Sequence, residues 1–422
     1  MREKYDVIVV GAGVVGTTVA YELGSSGAHV LLVDAASDIG GGCSYANAGI
    51  IAPSHVGPLA TTSLLLEGAR QIFARPPAVR VRPQPSLGGW LAQLVASARP
   101  SRVRVATRRL QELAATSAQL HEDYAKRGIN PSYRRTGAID VWMRTPAPDG
   151  AMSPQQARQA VPALGALTGA LLDPDESVID SRAYLRGLLD AARCHNIEVR
   201  FGQRVRTLLT QRRNIVGIRC EAGDFAAGVV VLAAGLGIAP LAAQAGVRVP
   251  LRGGRGYVID LAVSGHVPTM PVRLKERRIV ITPFGDRLRV CGLMEFGAER
   301  RPLDPRTADA MVAVAAEALP GVHIDDRIDT WCGERPCTPD GLPVIGASTR
   351  APGLVVAGGH GMWGLILAPV TAQLLTQGLQ GYLPATSGPL ADPLLSPDRF
   401  GPMRRGVGRP GAEELLPQSH RF

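Results

Sequence analysis

The sequence is short of aromatic residues, which make up 5% of its 422 positions, and it has only six cysteines. No stretch interleaves aromatics with lysine and arginine, so nucleic-acid recognition has no support despite the basic composition. The cysteines, Cys43, Cys194, Cys220, Cys291, Cys332 and Cys337, form no CxxC pair and have no histidine at zinc-ligand spacing beside them. No disulfide framework and no metal site are expected; the thiols read as reduced, in a cytoplasmic protein. An unbroken membrane-length apolar run is also missing. Residues 226–247 and 354–375 approach that length. Gly235, Gly237 and Pro240 interrupt the first, and Gly358, Gly359, Gly361, Gly364 and Pro369 the second. A strand, a turn and a helix explain each better than a bilayer span. Arg2 and Lys4 precede an apolar run in the manner of a signal peptide, but the run continues to Glu22 without a small-residue cleavage site.

What is present is apolar residues (45%), glycine (49) and proline (33), with 19% charged residues. That is material for two domains with large cores and many tight turns. The formal charge is +10. Arginines gather between Arg70 and Arg109, among them Arg99, Arg102, Arg104, Arg108 and Arg109. The plain reading is a solvated helical face. The sharper one is a peripheral contact with anionic lipid at the inner membrane face, or with an electron-accepting partner.

Residues 5–10 form a short β-branched run, 11–16 a glycine-rich turn, 17–25 a helical pattern and 30–33 a second strand that ends at Asp34. This is a βαβ unit at the start of the chain. Pro-rich turns and short helical stretches (61–73, 87–98) follow, then a helix whose Leu110, Leu113, Leu120 and Tyr124 share a face and which ends near Gly128. Residues 133–143 read as a strand. Asp180 reads as the N-cap of a helix over 181–194. Strands are expected over 198–201 and 229–233, a hairpin over 204–220, alternating strands between 249 and 294, a strand over 354–357 and a helix over 363–375. The nucleotide-type pieces therefore lie at the start, middle and end, with β-rich inserts between them. The tail after Phe400, rich in Gly, Pro and Arg, reads as disordered.

The first chemical motif is Gly11-Ala12-Gly13-Val14-Val15-Gly16, set between strand and helix. Gly11 permits the turn, Gly13 lets backbone N–H groups approach a pyrophosphate, and Gly16 lets the helix pack on the strand. The helix N-terminus favours phosphate, and Asp34, followed by Ala35, can accept from ribose hydroxyls. This motif alone does not separate NAD from FAD. The small residues of Gly40-Gly41-Gly42-Cys43-Ser44-Tyr45-Ala46-Asn47-Ala48-Gly49-Ile50 suit close passage of backbone by a flat ring system; the plain alternative is a flexible loop. A second strand–glycine–helix turn, around Gly359-His360-Gly361, aims another helix N-terminus at a ligand, where it can stabilise negative charge on a reduced flavin. His360 is either a satisfied core histidine or a flavin neighbour acting mostly through its backbone. In Gly333-Glu334-Arg335-Pro336-Cys337-Thr338-Pro339-Asp340, Arg335 suits bidentate gripping of a carboxylate, unless Glu334 or Asp340 takes it as a surface pair.

On VIVVGAGVVG, SYANAGIIAP, VVVLAAG, ERPCTPDGLPVIG and GGHGMWGLILAP, in that order, the chain resembles the D-amino acid oxidase and glycine oxidase family of FAD-dependent amine oxidoreductases, nearest to its D-amino acid dehydrogenase branch. The resemblance implies an α/β fold: a Rossmann-like FAD-binding domain built from discontinuous segments (1–54, 145–245, 333–400) and a β-rich α+β substrate domain (55–144, 246–332). It implies that Ser44, Asn47, Ala48, Gly49 and Ile50 line the flavin. Val205 would lie at the adenine side, with Ala234 and Gly235 close to the cofactor. His360, Gly361, Met362, Gly364, Leu365 and Ile366 would lie at the pyrimidine edge. It further implies that Arg335 binds the substrate carboxylate and that Tyr257 borders the pocket as a catalytic candidate. The activity implied is oxidation of a small amino acid, with oxygen or a quinone as acceptor; oligomerisation is left open.

The chain departs from the pattern in three places. Asp34 stands where glutamate is usual. Met362 and Trp363 replace the second arginine of glycine oxidases, which argues for an apolar pocket wall. Cys332 is out of register for the covalent flavin link of some sarcosine oxidases. A glycine/sarcosine-type oxidase and a flavoprotein subunit of a larger amine-oxidising complex are the alternatives. A flavin monooxygenase is disfavoured by Gly359-His360 where a Gly-Asp pair is usual, and an NAD-dependent dehydrogenase would lack flavin colour.

Overall fold

In a computed structural model, residues 4–39, 41–45, 47–61, 79–298, 301–379 and 392–401 are described. The expected helical stretch over 61–73, apart from Thr61, and the tail from 402 onward lie outside them.

The nucleotide half is a parallel sheet read across as Ile197–Arg200, Val30–Val33, Lys4–Val10, Gly223–Leu232 and Leu354–Gly358, with Val344–Ala347 antiparallel at the edge. Its inner strands are buried on both faces, which is why they read as continuous rather than alternating apolar runs. Helices Val14–Ser25, Pro100–Lys126, Ser181–Ala192 and Gly364–Leu379 pack one face in a single apolar cluster. The other face is covered by Ile238–Gln244 and the hairpin Thr207–Gln211/Asn214–Cys220. Lys4–Val10 is central: the chain leaves it toward Val30–Val33 on one side and returns as Gly223–Leu232 on the other. The first glycine turn therefore sits at the sheet's switch point, where α/β folds bind ligands.

The second half is a large, mostly antiparallel sheet in the order Val322–Cys337, Arg252–Gly265, Arg287–Phe296, Ile279–Phe284, Val272–Leu274, Ala138–Trp142, Gly169–Asp173. Helix Pro305–Ala318 backs its reverse face, capped by Asp304. The other face looks toward the nucleotide half. Arg134–Arg135 with Ser177–Val178 and Ile50–Ile51 forms a small connecting sheet.

Two boundaries differ from expectation. The domain change placed at 145 falls after Asp173, because Gly169–Asp173 pairs with Ala138–Trp142. The change placed at 333 falls after Cys337, because Val322–Cys337 runs unbroken along Arg252–Gly265. Gly333 and Pro336 obscured that strand's length in the sequence. The strand expected over 133–143 is split at Gly137, which takes a positive φ. Asp180 does cap its helix, accepting from the N–H groups of Arg182 and Ala183.

Candidate active site

Both glycine turns leave the same, carboxyl edge of the parallel sheet, and the helices they open pack side by side. Gly11 has φ +110°, and a Cβ there would stand 2.6 Å from the Ala233 carbonyl oxygen. A Cβ on Gly16 would overlap the Gly11 carbonyl. Gly13 caps the first helix with no side-chain hydrogen bond, and no acid lies in its first turn. Val14 N–H donates to Ser44 Oγ (3.0 Å). Val15 and Gly16 are buried in the same turn. The Asp34 carboxylate accepts from Ala12 N–H (2.6 Å) and Ala36 N–H (2.8 Å), while Ala35 between them is exposed. The short acid thus braces the turn with one backbone hydrogen bond to each oxygen, which leaves each oxygen a free lone pair. Ala234 and Gly235 (φ +56°) follow Ala233 across this turn, and Val205 packs at the rim of the outer cluster.

At the second turn, Gly359 and Gly361 both adopt positive φ (71° and 56°). His360 is buried, and its Nε2 lies 2.9 Å from Thr371 Oγ1. That hydroxyl already donates to the Leu367 carbonyl, so the ring donates to it. Burial pulls the His360 pKa down to about 4. The imidazole is thus neutral and turned into the helix, leaving the backbone at the turn's surface. Gly364 opens the helix, Leu365 and Ile366 are buried within it, and Met362 stands 46% exposed before it. Pro369 removes the N–H that would bond the Leu365 carbonyl. Buried His121 takes that place, with Nε2 3.0 Å from the carbonyl oxygen, and Ser117 Oγ accepts from Val370 N–H. Neither role was legible locally, since both arise from a helix more than 240 residues away in sequence.

The segment Tyr45 and Asn47–Ile50 is tied to the large sheet by residues that sequence reasoning missed. Thr282 Oγ1–H donates to the Ala48 carbonyl (2.7 Å), and Arg289 Nη1 to the Asn47 carbonyl (3.3 Å). Asn47 Oδ1 accepts from Gly49 N–H, whose residue has φ +69° against the Ile179 carbonyl and Phe284. Arg182 lies over the Tyr45 ring at 3.8 Å and donates to its carbonyl. Arg289 is fully buried and forks onto Asp260 (2.7 and 2.9 Å); Arg287 bonds the same carboxylate and also Asp180. Burial opposes ionisation of Asp260, but the hydrogen bonds and charge of Arg289, with Arg287 and Arg182, hold its pKa below the usual carboxylate range.

Arg335 lies on this same face. A Cβ on Gly256 would fall inside its guanidinium, so the bare Gly254-Arg255-Gly256 backbone is what gives it room. Its Nη1 donates to the Leu293 carbonyl (3.2 Å). Among the described residues no carboxylate pairs with it. The surface-pair alternative fails for Asp340, which is taken by Arg399, and Glu334 points to the opposite face.

Strand alternation also turns Tyr257 away. It is 1% exposed in the reverse-face cluster, and its hydroxyl accepts from Asp304 N–H (3.2 Å). The structure does not bring it to Arg335, so its placement at the pocket border is corrected. Cys332, directly opposite it, bonds Arg255 on the same reverse face.

Two uncapped helix starts without acids, bare glycine turns and a carboxylate beside the first turn fit a dinucleotide carrying a flat ring. A family pattern described as FAD dependent oxidoreductase matches residues 6–378. The chain belongs to this FAD-dependent oxidoreductase family. It is similar to D-amino acid dehydrogenase 2 of Ralstonia nicotianae, at 31% identity over 90% of this chain and 97% of that one. It is similar to D-amino acid dehydrogenase of Paramagnetospirillum magneticum at 30%, over 90% and 96%. Its fold is shared with glycine oxidase from Bacillus cereus, with TM-score 0.70 at 18% identity, covering 96% of this chain and 100% of that one. The oxidoreductase thus uses FAD. No helix among its described residues is long and apolar enough to cross a membrane.

Proposed function

We propose that the chain oxidises a small α-amino acid of D configuration, or a cyclic imino acid such as a proline derivative, by loss of the α-hydrogen as hydride. The observation that carries this reading is Arg335, a half-buried guanidinium with no acidic partner among the described residues, on the sheet face that looks toward the glycine turns. Unlike Arg289 and Arg273, which are neutralised by buried carboxylates, it keeps donors for an incoming carboxylate.

When bound, FAD supplies the two-electron acceptor. Arg335 fixes the substrate carboxylate and so orients the α C–H bond. Its charge and the apolar surroundings both favour the neutral amine, whose lone pair assists departure of the hydride. Neutral His360 is engaged with Thr371, and no side-chain base is required at carbon. The imine product adds water and releases ammonia and a keto acid, or stays cyclic for a proline-like substrate.

The electrons pass on to oxygen or a quinone. Arg102, Arg104 and Arg108 are exposed around Val105 (52% exposed) on one helix, with Arg99 and Val95 (57%) just before it. This supports a peripheral contact with an anionic membrane surface.

The test is anaerobic bleaching of the flavin against D-amino acids, glycine, sarcosine and prolines, then exposure to air. Bleaching by D-amino or cyclic imino acids supports the reading; a flavin that none of them reduces ends it.

A further inference from the structure

Trp331 carries a buried donor with nothing to bond. The residue is 5% exposed, and its indole Nε1 has no hydrogen-bond partner among the described residues. Two other indoles find carbonyls: Trp90 donates to Pro250 (3.1 Å) and Trp363 to Gly57 (2.7 Å). An unpaired buried N–H costs free energy that a bound acceptor recovers.

The position of that nitrogen says where the acceptor would stand. In Val322–Cys337, Trp331, Gly333 and Arg335 alternate onto one face, the face that looks toward the glycine turns. A Cβ on Gly333 would stand 3.1 Å from Trp331 Nε1, so the indole nitrogen leans along the strand toward Arg335. Gly333 pairs across the ladder with Gly256, whose missing side chain is the space that the Arg335 guanidinium fills. The side chains of a directly opposed pair begin about 4.5–5.5 Å apart. The indole nitrogen and the guanidinium therefore converge over one bare glycine pair. Packing holds the indole there: the Tyr45 ring lies against it (5.0 Å between centroids), and Val258 and Cys291 belong to the same apolar cluster. Neighbouring groups do not compete. Asp329, the preceding residue on this face, is paired with Arg182 (3.0 Å). Cys43, whose Cα would stand 3.0 Å from a Gly333 Cβ, keeps its proton because burial pushes its thiol up.

We infer that Trp331 is a second substrate donor: its indole N–H and Arg335 hold one substrate carboxylate between them, over Gly333 and Gly256. Among these apolar neighbours a charge-assisted hydrogen bond is stronger than in water. Two donors on separate side chains fix the carboxylate against rotation, and with it the direction of the α C–H bond. They also select a carboxylate over a carboxamide, whose NH2 would meet a donor with another donor. This rests on the proposed amino-acid oxidation and adds a specificity-determining residue to it.

The test uses the FAD-loaded enzyme with isotopically labelled tryptophan. The NMR resonance of the Trp331 indole N–H is assigned by its loss in Trp331→Phe, or by elimination with Trp90→Phe, Trp142→Phe and Trp363→Phe. It is followed on addition of propionate, and of propionamide as the uncharged counterpart, so no turnover is needed. Propionate should move the resonance downfield and slow its exchange with water; propionamide should do neither. In Trp331→Phe, propionate binding read by the flavin difference spectrum should weaken by roughly tenfold or more. The preference for propionate over propionamide should fall in step, as should kcat/KM for D-alanine. A tryptophan that only packs would leave the resonance still and lower the binding of both probes alike. A resonance that propionate leaves in place, or a Trp331→Phe protein that binds propionate as the wild type does, overturns the second donor; flavin bleaching by D-alanine then leaves amino-acid oxidation standing. Failure of the wild type to bind propionate, together with no flavin reduction by any D-amino or cyclic imino acid, overturns the oxidation reading itself.

Discussion

The nucleotide half and the site-facing half of the large sheet hold their chemistry by different means. At the glycine turns the working groups are backbone N–H and C=O, and neighbours along the chain suffice: Gly11 to Gly16 in one turn, Gly359 to Gly364 in the other. Across the large sheet the working groups are side chains that meet from distant segments: Arg289 with Asp260, Arg287 with Asp180, Arg182 with Tyr45. In the first half a substitution acts through sterics at a single position; in the second it exposes a charge whose partner lies elsewhere in the sequence.

That contrast can be broken most sharply at Asp260. Asp260→Ala leaves fully buried Arg289 without its carboxylate, and truncating one partner of such a pair costs about 3–5 kcal/mol. Urea unfolding should show that loss, and Asp260→Ala with Arg289→Leu should recover a large part of it. A loss under about 1 kcal/mol would mean that the sheet face does not depend on its long-range charges.

Arg335→Leu should act on the reaction and not on the fold. Because the guanidinium has no acidic partner to orphan, stability should hold. Turnover of carboxylate substrates should fall by about 2–5 kcal/mol in kcat/KM. Unchanged kcat/KM refutes the anchor role.

The smallest effect concerns His55, just after the Ile50–Ile51 strand. Hydrogen bonding to Asp140 and then to Glu176 raises its pKa to about 9 from an ordinary 6.5. Arg273 bonds both of those acids from the large sheet. Asp173 also approaches His55 and Glu176, within 4.8 Å, so the histidine is one cation in a balanced cluster. A raised folded-state pKa means that its stabilisation is complete below about pH 6.5 and is lost as pH rises through about 9. In the wild type, stability should decline across that window. In His55→Gln that component of the decline should vanish, as read by thermal melts at pH 6, 8 and 10. Identical profiles would show that the His55 ion pairs contribute nothing.

Much of the first half was legible in the order of residues. Gly11, Gly16, Gly359 and Gly361 are needed because backbone conformation or contact admits no other side chain, and that need is written at the position itself. Asp34, Asp180 as a helix cap and the apolar strands are local in the same sense. The gap before Phe284 and Thr282 reach the Asn47–Ile50 segment is over two hundred residues, and no periodicity records it.

The sequence by itself determined the two glycine turns, the FAD-dependent family and the presence of an arginine suited to a carboxylate, because each rests on short-range covalent geometry. Only the tertiary structure decided which face each strand presents. The direct alternation of Arg252–Gly265 sends Tyr257 into the core, while one extra residue at Leu293, in the stretch opposite Gly256, turns Met294 to the other face, against Gly254. A two-residue period inverts with a single insertion, so facing is a property of how strands pair and not of either strand alone.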